Sequence, residues 1–189
     1  NLIAPYKNNL RFFKADGNFG FRYIQEAAAI RYTYSRNQKI LKKIFHEEDI
    51  IATHSYRTTE GKQCEPETLY PILPIGVING QNQIGVGFAS TLLPRKVETV
   101  LDLFIGILQG TITNLPSYLP PEYPYYNGKV DLLDVNKWSL KGKVQVEVAK
   151  RGKKIIRITE VPPNWDKYIL IKKLEDFKDS GLIENYQNN

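Results

Sequence analysis

An arginine and two tyrosines stand close together near the start of the chain. Residues 26–36 read EAAAIRYTYSR, so Arg31 directly precedes Tyr32, and Tyr34 follows two positions later. A free phenol has a pKa of about 10 and is a poor nucleophile at neutral pH. A guanidinium beside it favours the phenolate and stabilises negative charge on a phosphorus under attack. The pair could therefore attack a phosphate ester, although an isolated Arg-Tyr pair is more often a packing pair.

The surrounding residues predict how this pair is positioned. The glycines of DGNFG at 16–20 predict a turn, and the alanine-rich run at 26–30 favours a helix. Arg31 and Tyr32 are therefore expected at a helix end. Residues 39–67 are polar and irregular, which predicts the end of a helix followed by a loop.

A second notable segment is rich in glycine and follows two prolines. Residues 71–74 read PILP, and residues 79–87 read NGQNQIGVG. Prolines oppose helix, so residues 75–78 are predicted as a short buried strand. The glycines allow tight turns and close backbone approach to a partner. No GK[ST] ending follows them, so this is not a P-loop.

The second half of the chain contains clearer elements. Apolar residues at helical spacing predict a helix over 94–109, and a proline- and tyrosine-rich connector covers 115–128. Period-two alternation around an Arg151-Gly152 turn predicts a β-hairpin over 143–160. Asn164 is expected to cap a last helix that runs through Lys178. These elements predict an α+β fold.

Composition narrows the class of protein. The 189 residues are 42% hydrophobic and 24% charged, which suits one folded domain, or one domain and part of a second. No run of about 18 apolar residues is present, so we expect no membrane partner. The lone Cys64 rules out an internal disulfide and favours a cytoplasmic location. The net charge of +6 weakly favours a polyanionic partner. The chain has no methionine and is expected to be a fragment.

Several separated motifs occur in one order along the chain. They are GNFG at 17–20, Arg-Tyr at 31–32, PILP at 71–74 and NGQNQIGVG at 79–87. Together they resemble the DNA breakage-reunion subunit of type IIA DNA topoisomerases. This family includes the gyrase A protein, the eukaryotic topoisomerase II core and the medium subunit of T4-like phage topoisomerases.

The resemblance implies a domain organisation. Residues 1–93 are expected to form a winged-helix DNA-cleavage domain that is incomplete at its N-terminus. Residues 94–189 are expected to form part of an α/β tower domain, because IIRITEVPPNW at 155–165 is similar to a strand and turn of that domain.

The resemblance also implies roles for individual residues. Tyr32 corresponds to the tyrosine that attacks a DNA phosphodiester and becomes a 5′-phosphotyrosyl, and Arg31 to its transition-state stabiliser. Ile84 corresponds to an isoleucine that wedges between base pairs and bends the DNA. Gln83, before it, stands where the family usually has glycine. Basic residues expected at the DNA phosphates are Arg22, Lys14, Arg36 and Lys39.

The cofactors and partners expected from the resemblance lie mostly outside this chain. Mg²⁺ is expected on a Toprim fold supplied by a partner chain or a segment not present here, and ATP on a partner ATPase subunit. Double-stranded DNA is the expected substrate, bound by a homodimer within a larger heteromeric complex. The acidic run at 47–49 is expected to be a solvated face rather than a metal site.

Two other readings compete with this one. The chain could be a non-catalytic DNA-binding or assembly module that retains the fold without the chemistry. It could also be an unrelated winged-helix protein that binds RNA or DNA, but that reading leaves the proline- and glycine-rich segment unexplained.

Overall fold

The computed structural model describes residues 3–53, 55–135, 137–148 and 153–188. Across these residues, ten strands form five two-stranded antiparallel sheets, accompanied by five α-helices and a short 3₁₀ turn. Helices and strands are interspersed along the chain, so the predicted α+β class is confirmed.

The first sheet frames the Arg-Tyr pair. Strand β1 (Phe13–Asp16) pairs with β2 (Tyr34–Asn37), and the segment between them ends in the 3₁₀ turn Ile30–Tyr32. The helix predicted from the alanine run is wrong. The N–H of Ala28 donates to the carbonyl of Asn18 at 2.9 Å. A backbone group that a helix would use is therefore bonded instead to the GNFG turn at 17–20, called the glycine turn below.

Residues 39–66 are more regular than their polar sequence predicted. They contain the helices α1 (Lys39–Ile44) and α2 (Glu47–Thr53), then a hairpin of β3 (Tyr56–Thr59) and β4 (Lys62–Pro66). The expected loop is therefore wrong after α1. Most residues of this hairpin are exposed on both faces, so no apolar alternation marks its strands.

The proline-rich segment forms a short helix. Residues predicted as a strand are the helix α3 (Ile75–Asn79), because Pro74 stands at its N-cap and its carbonyl accepts the N–H of Val77 and Ile78 at 3.0 and 3.2 Å. The glycine-rich stretch then forms a hairpin of β5 (Gln81–Gly85) and β6 (Phe88–Leu92).

The elements of the second half follow the sequence pattern more closely. Helix α4 (Val97–Leu108) confirms the predicted helix, and residues 110–128 are irregular, as expected of a connector. The predicted hairpin is present as β9 (Lys143–Val148) and β10 (Lys154–Glu160), while its Arg151-Gly152 turn lies outside the described residues. Asp166, not Asn164, caps the last helix by accepting the Ile169 N–H at 2.9 Å. The remaining bounds are β7 (Lys129–Asp134), β8 (Lys137–Lys141) and α5 (Lys167–Asp179).

The start of the chain contacts α3, the segment just before α4, and the connector. The Asn9 side-chain amide donates to the carbonyls of Ile78, Arg95 and Glu122 at 3.2, 2.8 and 2.8 Å. Residue 9 therefore makes contacts on both sides of residue 93, and the domain boundary placed there stays a prediction. The buried apolar side chains of the described residues are Ala4, Phe12, Ile44, Ile78, Val100 and Val161.

Candidate active site

Tyr32 lies at the end of the 3₁₀ turn, immediately before Thr33 and β2. Its backbone N–H donates to the Ala29 carbonyl at 2.8 Å, and its side chain is 63% exposed. The guanidinium carbon of Arg31 lies 5.1 Å from the centroid of the Tyr32 ring. An accessible phenol ring and a cation therefore stand together on one turn.

The glycine turn packs against the backbone of the Tyr32 turn. Gly17 has φ of +103°, and a Cβ added there would lie 2.6 Å from the carbonyl oxygen of Tyr32. Asn18 closes the turn, since its side-chain oxygen accepts the N–H of Gly20 at 2.8 Å. The GNFG motif therefore has a direct structural role in placing Tyr32.

The sheet next to Tyr32 carries basic residues on both strands. Lys14 on β1 stands opposite Arg36 on β2, and Lys39 begins the following helix. Arg36 Nε lies 2.7 Å from Asp16 Oδ2, and this hydrogen bond lowers the pKa of the Asp16 carboxyl and raises the pKa of Arg36. All three basic side chains are exposed, but Arg36 is already paired with the carboxylate of Asp16. Sequence reasoning missed Asp16.

Unlike the other basic residues predicted to contact DNA, Arg22 is mostly buried. Its guanidinium forms an ion pair with Glu160 and donates to the carbonyl of Val161 at 2.9 Å. Its side chain is only 19% exposed. The predicted contact between Arg22 and DNA stays a prediction, but in this structure its charge is matched by Glu160, a residue that sequence reasoning did not single out.

Ile84 projects from the hairpin of β5 and β6. It stands opposite Ala89 and is 87% exposed, with Val86 and Phe88 also exposed close by. Exposed apolar side chains on a short hairpin suit insertion into a partner. Its predicted role as a DNA wedge stays a prediction.

The acidic residues of α2 lie at the helix surface. Glu47 pairs loosely with Lys42 at 3.6 Å, and Glu48 with His46 at 3.9 Å. Within the described ranges, no three metal-ligating side chains come together as an ion site. The helices in the same ranges are all too short or too polar to cross a membrane.

Comparison with known proteins identifies the family. The whole chain, residues 1–189, matches the sequence model of the A subunit of DNA gyrase/topoisomerase IV. The chain belongs to this family, as the motifs predicted.

Individual relatives come from phage, bacteria and eukaryotes. The DNA topoisomerase medium subunit of Enterobacteria phage T4 is 28% identical over 184 residues, which are 96% of this chain and 39% of that phage protein. The DNA gyrase A protein of Helicobacter pylori (strain ATCC 700392 / 26695) is 27% identical over 97% of this chain and 24% of its own length. The chain thus spans well under half of these relatives.

A solved structure supports the fold. The chain is similar to the crystal structure of the DNA-binding, cleavage and re-ligation domain of Plasmodium falciparum topoisomerase II, with a TM-score of 0.80. The match is 24% identical and covers 96% of this chain and 24% of the other.

Proposed function

We propose that this chain carries out the DNA cleavage and religation of a type IIA topoisomerase. The observation that supports this most is the exposed Tyr32 with the Arg31 guanidinium 5.1 Å from its ring, in a chain that matches the gyrase/topoisomerase IV family over its full length. Type II topoisomerases are isomerases of DNA, and the chain would act as part of such an enzyme.

The proposed reaction is a transesterification at Tyr32. The Tyr32 oxygen, having lost its proton to a base, attacks the phosphorus of a DNA phosphodiester. The bond from phosphorus to the 3′ oxygen breaks, and that oxygen leaves and takes up a proton. Arg31 stabilises the negative charge at phosphorus. The product is a 5′-phosphotyrosyl ester of similar energy, so religation by the 3′ hydroxyl needs no added energy.

Other residues would hold and bend the DNA. Ile84 has the exposure needed to enter a base step, where an apolar wedge costs unstacking energy but permits tighter wrapping. Lys14 on β1 and Lys39 at the start of α1 are exposed cations, which suits contacts with backbone phosphates.

The complete enzyme would need further parts. We propose that Mg²⁺ is bound by a Toprim partner rather than by this chain, and that ATP is bound by a partner ATPase subunit. Two copies of this chain would cut the two strands of one duplex in the cytoplasm, and a second duplex would pass through the break. These proposals rest on the family resemblance.

The experiment is a covalent trapping assay. The full-length protein that contains this chain, with its Toprim partner and Mg²⁺, is mixed with duplex DNA and denatured, and protein-linked DNA is measured. The adduct should disappear in Tyr32→Phe and persist in the matched control Tyr34→Phe, whose exposed ring lies two residues later.

Two results would contradict the proposal. Adduct formation by Tyr32→Phe would show that another residue is the nucleophile. Salt-dependent DNA binding by the wild type, with no adduct even when the partner is present, would support a non-catalytic DNA-binding module instead.

A further inference from the structure

The segment that leads to Tyr32 is attached to the second half of the chain. The carbonyl of Tyr23 accepts the N–H of Lys167 at 2.8 Å, and its hydroxyl donates to Asn188 at 3.1 Å. The hydroxyl of Tyr168 donates to the carboxylate of Glu26. These contacts join residues within ten positions of Tyr32 to the residues around α5.

A more buried attachment is the ion pair of Arg22 and Glu160. The Glu160 side chain is 8% exposed, and its second carboxylate oxygen accepts the N–H of Asn127 at 3.1 Å. The Tyr126 ring centroid lies 5.9 Å from the Arg22 guanidinium carbon. Together with the hydrogen bond from Arg22 to the Val161 carbonyl, these contacts give each of the two charged groups more than one partner.

Such a pair holds its geometry firmly. Two mostly buried charges with directional hydrogen bonds cannot separate without leaving an uncompensated charge, and this is costly. Glu160 is the last residue of β10, whose ladder with β9 fixes its backbone. Arg22 is therefore held at a defined point relative to β10.

A short path of contacts leads from Arg22 to Tyr32. Arg22 follows the glycine turn by two residues. The Asn18 carbonyl of that turn accepts the Ala28 N–H, and Gly17 lies against the Tyr32 carbonyl. Displacing Arg22 would therefore shift the surface on which the Tyr32 turn rests.

We propose that Glu160 is a positioning residue for Tyr32 that acts through Arg22. This rests on the proposed function, in which Tyr32 is the nucleophile. The ion pair attaches the glycine turn to β10 and so keeps the Tyr32 oxygen in line with the phosphorus. Misplacement of a reacting group by about 1 Å can slow a reaction about a hundredfold, so a distant contact can matter this much.

The alternative role of Arg22 is a contact with a DNA phosphate, which makes a different prediction. In that case Glu160 would compete with DNA for Arg22. Removing the Glu160 charge would then strengthen DNA binding, and removing Arg22 would weaken it and lower the salt slope by about one.

The test compares Arg22→Gln, Glu160→Gln and the double variant in the full-length protein with its Toprim partner and Mg²⁺. DNA affinity is measured at two salt concentrations, and the rate of adduct formation is measured on prebound DNA. We expect each single variant to slow adduct formation about tenfold or more. The double variant should be no slower than the slower single one, because the two residues act as a unit. DNA affinity and its salt slope should stay unchanged.

A matched control is available in the hairpin of β9 and β10, which also carries Glu160. Glu147 on β9 pairs with Arg157 on β10 at 3.3 Å, and both side chains are largely exposed. Glu147→Gln removes the same charge and should cleave at the wild-type rate.

Hydrogen exchange separates positioning from a general loss of stability. In Glu160→Gln, faster exchange should be confined to residues 17–33 and the immediate surroundings of residue 160. Faster exchange over the whole chain, or adduct formation at the wild-type rate, would overturn the proposal. Tighter DNA binding by Glu160→Gln with weaker binding by Arg22→Gln would also overturn it. If the wild type forms no Tyr32-dependent adduct, the proposed function itself has failed.

Discussion

Two glycines with positive φ mark a contrast between the Tyr32 turn and the Ile84 hairpin. At Gly17, with φ of +103°, an added Cβ would lie 2.6 Å from the Tyr32 carbonyl oxygen. At Gly87, with φ of +77°, an added Cβ would meet nothing within 4 Å. Both regions present an exposed side chain, but one is closely supported and the other projects freely.

This difference matches what each side chain is proposed to do. A nucleophile must be held close to its line of attack, so its turn needs support from neighbouring backbone. An apolar wedge needs reach and shape, and the DNA adapts to it. The Tyr32 turn should therefore tolerate little change around it, whereas the hairpin tip should tolerate more.

The largest effect is expected from Gly17→Ala, which places a methyl group against the backbone of the Tyr32 turn. The new Cβ collides with backbone and forces an unfavourable φ, so adduct formation should fall about a hundredfold, with a loss of about 1–3 kcal/mol in the free energy of unfolding. Trapping assays and urea unfolding measure the two effects.

Gly87→Ala is the control for this change. It shares the positive φ but has open space around it. Its adduct rate should fall much less than that of Gly17→Ala. Equal losses in the two variants would remove the distinction between the two regions.

The next effect in size is expected from Ile84→Ala on the hairpin. The loss of a side chain buried between bases should cost about 1.5–3 kcal/mol of the contact with bent DNA. We expect DNA bending and cleavage to fall at least tenfold, since a factor of ten corresponds to about 1.4 kcal/mol. Fluorescence energy transfer between the DNA ends reports the bend.

Phe88→Ala is the control for Ile84→Ala, because it removes an apolar side chain from the other face of the same hairpin. In the hairpin register Ile84 faces Ala89, whereas Phe88 faces Gly85, so Ile84 and Phe88 lie on opposite faces. Phe88→Ala should leave the bend unchanged. A larger loss of bending in Phe88→Ala than in Ile84→Ala would place the wedge on the wrong face.

A smaller effect is expected from the exposed lysines beside the Tyr32 sheet. Lys14→Gln and Lys39→Gln should each weaken DNA binding and lower the salt slope by about one, without changing the cleavage rate at saturating DNA. Lys172→Gln removes the same charge from helix α5, which is not part of the sheet next to Tyr32, and is the control. Binding titrations at several salt concentrations provide the measurement, and an unchanged slope in both lysine variants would exclude these contacts.

The smallest effect concerns pH. Arg36 lowers the pKa of Asp16, so this pair contributes stability above the pKa that Asp16 has in the unfolded chain, and the contribution is lost as the pH falls through the lowered value. The urea midpoint of the wild type should therefore fall more between pH 7 and pH 3 than that of Asp16→Asn. Identical pH dependence in the two proteins would show that the pair contributes nothing.

The sequence predicted best what depends on local pattern. Helix α4 and the hairpin of β9 and β10 repeat one apolar period over many residues, and both are present. The alanine run failed as a helix because the Ala28 N–H bonds to Asn18, ten residues earlier in the chain. Helix propensity is a weak preference, and such contacts override it.

The candidate site was predictable in part for the same reason. Arg31 and Tyr32 are adjacent in sequence, so their proximity follows directly. Arg22 and Glu160 are 138 positions apart, and neither period nor motif relates them. Their pairing depends on how β10 and the glycine turn pack, which only the folded structure shows.

The most direct measurement identifies the residue that is linked to DNA. The trapped complex is digested with nuclease and trypsin, which yields the peptide of residues 32–36, YTYSR, and fragmentation in a mass spectrometer locates the nucleotide on it. We expect a 5′-phosphoryl nucleotide on Tyr32. A nucleotide on Tyr34 or on any other residue would contradict the assignment of Tyr32 as the nucleophile.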